Sequence, residues 1–524
     1  MVQKSFNSVL LTHQVEPFNQ MHTRKRVLLS CKAGSGKTII SLASWFALYK
    51  AGIVDKLFVV MPVNAYTKKV WQKEIKKHMS GVTVTTWDDI SHCTVHQLKS
   101  LPYDVVLFKY TSVKFQDYRM YQLINSLFLW SSEGKMNVLL FDEVHKCKAW
   151  DSQVTKIWSA CKKNCPIVWG VTATNYSKDY VDTFNILNFI KPYVLGTFKD
   201  FMRECCVVEE YFQPGAGYLD RIVGLREDVF FSKLNGMLIL GDSLMEPHFH
   251  FYKYAMSPAT KDLYLRVASG LAVIPVVASG EEDHEDVIRR LLSTEVDTEE
   301  VVYRDISRNT AGYVFLQYVS DGAVNADGEF RPVETTKLDN FMRVMYDIHS
   351  RGRSCVVFAQ YYYSLDVVML ACRQAFPDAV ILENSSRVRM KDEDLRPELV
   401  RRKTHFIFIT QAGSESLSWG FISDVYFFNI PTTPSLFSQV AGRILRVDTL
   451  FPGDLHIHIP LANNIDGYKL LVVSAKASQA DVVQGRDLSI PSVFKGVDFS
   501  STSWESWKEK LLWGAQDSAS ILDI

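Results

Sequence analysis

Apolar, β-rich runs alternate with helical stretches over residues 1–208, most clearly at Leu57–Met61, Val105–Phe108, Val138–Phe141 and Ile167–Val171. That alternation predicts a parallel sheet with helices packed on it. A second series follows at Cys355–Phe358, Val380–Leu382, Phe406–Ile409, Val425–Phe428 and Leu455–Ile459, so the pattern predicts an α/β fold of two lobes, residues 1–208 and 334–478. Residues 209–333 alternate more weakly and carry an acidic section, Glu281-Glu282-Asp283-His284-Glu285-Asp286, continuing to Glu299-Glu300. They fit a connector with a largely helical insertion, the acid run forming a solvated helix face. In the tail, 479–524, Thr502 and Glu505 have capping-box spacing, and Trp504, Trp507 and Leu511 share one helical face. A short amphipathic helix packed against a lobe is expected there.

Only the first lobe carries a phosphate loop. An apolar strand, Val27-Leu28-Leu29, runs into Ser30-Cys31-Lys32-Ala33-Gly34-Ser35-Gly36, and Lys37-Thr38 opens a helical segment reaching about Tyr49. Strand, glycine-rich turn and helix, in that order, are the context such a loop requires. Backbone N–H groups of Ala33, Gly34, Ser35 and Gly36 would approach the phosphates of a nucleoside triphosphate, Lys37 would reach the β and γ oxygens, and the Thr38 hydroxyl would ligate Mg²⁺. Cys31 stands where the strict pattern has glycine; the looser pattern asks only for a small residue.

A second cluster follows a buried strand: Phe141-Asp142-Glu143-Val144-His145. In a doubly wound sheet this pair emerges at the C-terminal edge beside the phosphate loop. Asp142 would hold Mg²⁺ through water, and Glu143 would orient and deprotonate the attacking water. The second lobe supplies Gln439-Val440-Ala441-Gly442-Arg443-Ile444-Leu445-Arg446, whose two arginines lie three apart on one helical face. A fixed guanidinium fork suits the negative charge that develops on a transferred γ-phosphate.

These motifs, in this order, resemble helicase superfamily 2, specifically the Swi/Snf-like double-stranded DNA translocases. Leu11-Thr12-His13-Gln14 looks like the upstream glutamine motif, which implies that Gln14 reads the adenine edge. Met61-Pro62, with Trp71 and Glu74 downstream, is similar to motif Ia; Tyr110-Thr111 resembles motif Ib; Asp142 to Lys148 matches the Asp-Glu-x-His box; and Val171-Thr172-Ala173-Thr174 matches motif III. Asn185-Ile186-Leu187-Asn188-Phe189-Ile190-Lys191-Pro192 resembles the block that follows motif III in that family. Thr336-Lys337-Leu338 precedes the motif IV strand, Ile409-Thr410-Gln411-Ala412-Gly413 begins motif V, and Gln439 to Arg446 is motif VI. The resemblance implies two RecA-like, doubly wound lobes with ATP between them. Gln14, Lys37, Thr38, Asp142 and Glu143 would form one wall, with Gly413, Gln439, Arg443 and Arg446 from the other lobe. It implies nucleic-acid contacts at Pro62, Thr111, Thr172 and Thr410, with Lys68, Lys69, Lys146 and Lys148 adding charge. Motif V departs from the family at Ser414, Ser416, Ser418 and Trp419, and motif VI continues Val447-Asp448-Thr449, changes that bear on substrate grip more than on hydrolysis. The compact chain fits a minimal motor of a viral or phage kind.

The expected partner is DNA, duplex before fork or single strand, with RNA less favoured. A strand-separating or branch-migrating helicase is the neighbouring reading, and an ATP-switched clamp or assembly subunit the reading from another class. A protein partner would dock at the acidic insertion or the tryptophan-bearing tail. Composition changes little: 58 Lys and Arg balance 58 Asp and Glu, so any phosphate contact must come from local basic patches. No apolar run approaches the roughly 18 residues of a membrane span, and an intracellular, soluble chain is expected. The nine cysteines lack zinc-ribbon spacing and fit scattered thiols in a reducing compartment. Two histidine pairs, His248/His250 and His456/His458, alternate along predicted strands with no carboxylate or thiol at a fixed spacing, which favours packing over metal binding.

Overall fold

The computed structural model describes residues 3–31, 34–100, 102–113, 118–129, 134–173, 180–213, 217–241, 247–268, 274–277, 301–304, 310–322, 335–388, 390, 403–414, 420–431, 433–442, 444–445, 450–451, 453–462, 464–470 and 472–474. The acidic run, the 479–524 tail, Ala33, Arg443 and Arg446 lie outside these residues. Packing divides the described chain between residues 241 and 247 into two compact units.

The first unit is built on strands β1 (Arg26–Cys31), β2 (Val54–Met61), β3 (Val84–Thr86), β4 (Val105–Lys109), β5 (Met136–Asp142), β6 (Ile167–Thr172) and β7 (Leu238–Gly241). They form one seven-stranded sheet in the order β7-β1-β6-β5-β2-β4-β3, and every neighbouring pair is parallel. A parallel sheet covered on both faces needs apolar residues at successive positions, which is why its strands read as continuous apolar runs. Leu28, Phe58, Val60, Phe108, Leu139 and Phe141 enter the core on one face, while their neighbours Val27, Leu29, Leu57, Val59, Leu107 and Leu140 enter the core on the other. Helices α1 (Thr12–Met21), α2 (Lys37–Lys50) and α3 (Val70–His78) belong to this unit. An antiparallel ribbon, Cys206–Gln213 with Gly217–Leu225, follows the π-helical turn Phe201–Cys205.

The second unit repeats the architecture with β8 (His248–Lys253), β9 (Cys355–Phe358), β10 (Val380–Asn384), β11 (His405–Ile409), β12 (Asp424–Phe427) and β13 (His456–Leu461). Their order is β8-β13-β12-β9-β11-β10, again parallel throughout. Helices α4 (Thr310–Asp321), α5 (Thr336–Ser350), α6 (Tyr362–Ala375) and α7 (Pro434–Ala441) belong to it. The fold is therefore the expected pair of doubly wound parallel-sheet lobes.

The stretch expected as a connector, 209–333, is shared out between the two sheets. Its β7 extends the first sheet beside β1, its β8 starts the second beside β13, and its α4 sends Gln317, Ser320 and Asp321 into the second unit's interior. There the Lys337 ammonium lies 2.6 Å from Asp321 and 2.5 Å from Asp466, all three fully buried. Gln317 donates to both carboxylates, Ser364 and Asn429 donate to Asp321, and Tyr254 donates to Asp466. At the edge of this sheet His250 and His458 stack at 5.1 Å, and His456 bonds His250 at 2.8 Å. All nine cysteines are free thiols.

Candidate nucleotide site

The phosphate loop leaves the C-terminal end of β1. Gly34 and Gly36 take left-handed backbone angles, with φ of 79° and 84°, a region that residues with a Cβ seldom enter. Gly36 has a second constraint: a Cβ there would sit 2.2 Å from Gln14 Nε2. Gln14, buried in the first turn of α1, donates to the Ser35 carbonyl at 3.0 Å and accepts from the Leu11 N–H at 3.0 Å. His13 Nε2 lies 3.0 Å from the same carbonyl. The expected adenine reader thus also braces the phosphate loop, and His13 joins it, a role not visible in the motif beyond its adjacency to Gln14. Lys37 and Thr38 open α2, both half-buried; Lys37 Nζ lies 3.3 Å from the Cys31 carbonyl, folded back over the loop.

Asp142 ends β5. In the sheet β6 lies between β5 and β1, with Asp142 opposite Val171 and Thr172 opposite Ser30, so the carboxylates and the loop share one edge. Glu143 leaves the strand in the left-handed region, φ 52°, a costly conformation for a residue with a Cβ. Its carboxylate lies 3.3 Å from His145 Nδ1, which also bonds the Thr172 hydroxyl at 3.0 Å. Thr172, expected at nucleic acid, is fully buried, so in this conformation its side chain joins motif III to the carboxylate loop instead of facing a bound strand. Two further side chains converge on Asp142: the Trp71 indole N–H donates to Oδ2 at 2.8 Å, and the Tyr110 hydroxyl donates to the main-chain carbonyl at 2.9 Å. Burial and the adjacent Glu143 push the Asp142 carboxyl up to about 6, against the opposing pull of the Trp71 bond and Lys37.

Of the other expected contacts, Thr111 is exposed and Pro62 half-buried, both just beyond strand ends at the same C-terminal sheet edge, while Lys69 and Lys146 are exposed. In the second unit Thr410 is buried at the end of β11. Gly413 is required by close approach: a Cβ there would lie 1.7 Å from the Asn384 carbonyl oxygen, and Asn384 Nδ2 donates to the Gly413 carbonyl at 2.9 Å. Gln439 is half-buried on α7, whose first turn is capped by the Thr433 hydroxyl.

ATP and Mg²⁺ fit the residues of the first unit. The Ser35 hydroxyl and His13 Nδ1 are buried with no hydrogen-bond partner among the described residues, one on the loop and the other against it. Gly34 and Gly36 keep the loop free of side chains where phosphate oxygens would approach. Thr38 and Asp142 supply the oxygen donors that Mg²⁺ takes.

A glycine-rich loop at a helix start, with a carboxylate pair at the same sheet edge, defines a P-loop ATPase. The model of the SNF2-related domain matches residues 13–301, more than half of the chain, and the chain belongs to that family of ATP-dependent motors. Among solved structures it is similar to the Sulfolobus solfataricus SWI2/SNF2 ATPase core in complex with dsDNA, at 14% identity and a TM-score of 0.38, over 92% of this chain and 94% of that one. The same ATPase core domain solved without a named partner gives 14% and 0.35, over 97% and 94%. No curated protein matches the sequence.

Proposed function

We propose that the chain is a DNA translocase that couples ATP hydrolysis to directed movement along a duplex. The reading is carried by the shared edge of the first sheet, where the phosphate loop, Asp142 and Glu143 meet in a chain of the SNF2-related family. Mg²⁺, held by Thr38 and Asp142, would neutralise charge on the β and γ phosphates. Lys37 adds positive charge at the same oxygens, and the loop amides bind the rest of the phosphate chain. Glu143 orients the attacking water and accepts its proton. Arg443 and Arg446 supply guanidinium charge to the γ-phosphate, a contribution of about 10³–10⁵ in turnover where such fingers act.

Movement without regard to sequence requires contacts to phosphates more than to bases. Thr111, Lys69 and Lys146 are accessible groups of the first unit that suit this. The DNA is read as duplex from the family.

Steady-state ATP hydrolysis by the wild type and Glu143→Gln, with no nucleic acid, duplex DNA, single-stranded DNA or RNA at low salt, tests the proposal. Stimulation by duplex DNA that the variant lacks is the expected result. Preference for forks or single strands would favour a helicase. No turnover with any nucleic acid would favour the ATP-switched clamp.

A further inference from the structure

Asp142 is the end of a strand, where only its own backbone would otherwise fix the carboxylate. Two buried aromatic residues meet it there, from two different segments that follow neighbouring strands. Trp71 comes from α3, after β2; it is 1% exposed and shares the buried face of that helix with Ile75 and His78. Tyr110 comes from the residue after β4, its N–H bonded to the Met61 carbonyl at 3.0 Å. Tyr110 holds the Asp142 main chain through its hydroxyl, and the Trp158 indole holds the Tyr110 carbonyl at 2.9 Å. Trp71 alone of these reaches the carboxylate, at Oδ2.

The chemical type of that partner matters. A lysine or arginine in its place would hold the carboxylate too, but its positive charge would compete with a divalent cation. An indole N–H is a neutral, donor-only group on a rigid ring. It fixes the rotamer of Asp142 and leaves the negative charge for an ion. Outer partners that orient a metal-binding carboxylate contribute about 10–100-fold to metal affinity.

We propose that Trp71 is a positioning residue for the Mg²⁺–nucleotide complex: its indole N–H holds the Asp142 carboxylate in the orientation that meets the ion. The inference rests on Asp142 as the Mg²⁺ carboxylate. It separates Trp71 from the other buried tryptophans of the unit, such as Trp87, which stacks on Phe108 at 5.3 Å within the core.

The test uses the full chain and a fluorescent ADP analogue, titrated in EDTA and in Mg²⁺, for the wild type, Trp71→Phe and Trp87→Phe. Phenylalanine keeps an aromatic ring at position 71 and removes the N–H with the five-membered ring that carries it, a loss of volume that Trp87→Phe reproduces within the core. Thermal unfolding without nucleotide is measured alongside. Trp71→Phe is expected to bind the analogue in EDTA within about twofold of wild type while losing about tenfold of the affinity that Mg²⁺ adds. Its half-saturating Mg²⁺ for ATP hydrolysis should rise in step, and Trp87→Phe should change neither. An unchanged Mg²⁺ enhancement in Trp71→Phe would overturn the proposal. Equal loss with and without Mg²⁺ would also overturn it, since that marks a packing role. If the wild type shows no Mg²⁺ enhancement, the assignment of Asp142 fails first and the proposal falls with it.

Discussion

Individual residues of the nucleotide site answer to two physical demands, backbone conformation and charge. Gly36 illustrates the first. Its left-handed φ costs an L-residue about 1–2 kcal/mol, and a Cβ would collide with the Gln14 amide that braces Ser35. Gly36→Ala is therefore expected to lower the urea-unfolding free energy by about that much and to weaken binding of the ADP analogue even without Mg²⁺. Wild-type affinity in the variant would show that the loop does not need this conformation. Glu143 illustrates the second demand. Glu143→Gln keeps the shape and hydrogen-bonding reach of the side chain but removes the base, so turnover should fall by about 10²–10⁴ with ATP binding retained. Lys37, Thr38, Asp142 and Glu143 were all legible in the sequence, because loop and strand motifs are contiguous. Trp71 was legible as part of motif Ia but not as the partner of Asp142, since 71 positions separate them and only the sheet brings them together.

The elements show where periodicity carries information and where it fails. Central strands such as β2, β5 and β11 are covered on both faces, and their apolar runs identified them. Two of the edge strands were harder to read. β7, Leu-Ile-Leu-Gly, is apolar but only four residues long, and β8 reads His-Phe-His-Phe-Tyr-Lys with none of its residues fully buried, so both fell inside the expected connector. Helix α4 was not assigned to the second lobe for a different reason: its interior face holds Gln317, Ser320 and Asp321, polar residues made tolerable in a core by partners such as Lys337 and Asp466 and, for Ser320, Tyr254 and Asn464. Burial disfavours the Lys337 charge, yet the two carboxylates keep its pKa above the ordinary 10.5. Lys337→Met would remove the one ammonium seen bonded to both Asp321 and Asp466, leaving only the Lys469 charge nearby among the described residues, at a cost of about 3–5 kcal/mol. Urea unfolding followed by a probe in the second unit would measure it; a loss below about 1 kcal/mol would mean the pair is already neutral.

The histidine ladder on β8 and β13 is expected to make the second unit acid-sensitive. Burial, with His458 and His456 nearby, lowers the His250 pKa below its ordinary 6.5, and burial also lowers that of His405. An unfolded chain therefore takes up protons more readily than the folded one as pH falls below 6.5, and stability present at pH 7.5 is lost on the way down. Asp424 adds to the loss at lower pH. Burial alone would raise its pKa, but bonds from His458 and Ser423 and the Arg353 charge hold it below 3.8. Thermal unfolding at pH 7.5, 6.0 and 5.0 should show a falling midpoint, and His250→Phe should flatten the upper part of that fall. A midpoint rising toward pH 5 would contradict the assignment.

At the scale of the whole molecule the chain is two parallel-sheet lobes, of which one holds the complete phosphate loop and carboxylate pair. The order of motifs along the chain announced this duplication before any geometry, because each lobe is a repeat of strand and helix with its own signature. Net charge of zero gave no sign of DNA. The claim that unites the lobes is movement along a duplex driven by hydrolysis. Its most direct measurement is displacement of a labelled third strand from a triplex whose duplex arm offers a loading site. The expected result is displacement that requires hydrolysable ATP and Mg²⁺, is absent in Glu143→Gln, and slows as the duplex arm is lengthened. Duplex-stimulated hydrolysis with no displacement on any arm length would contradict it.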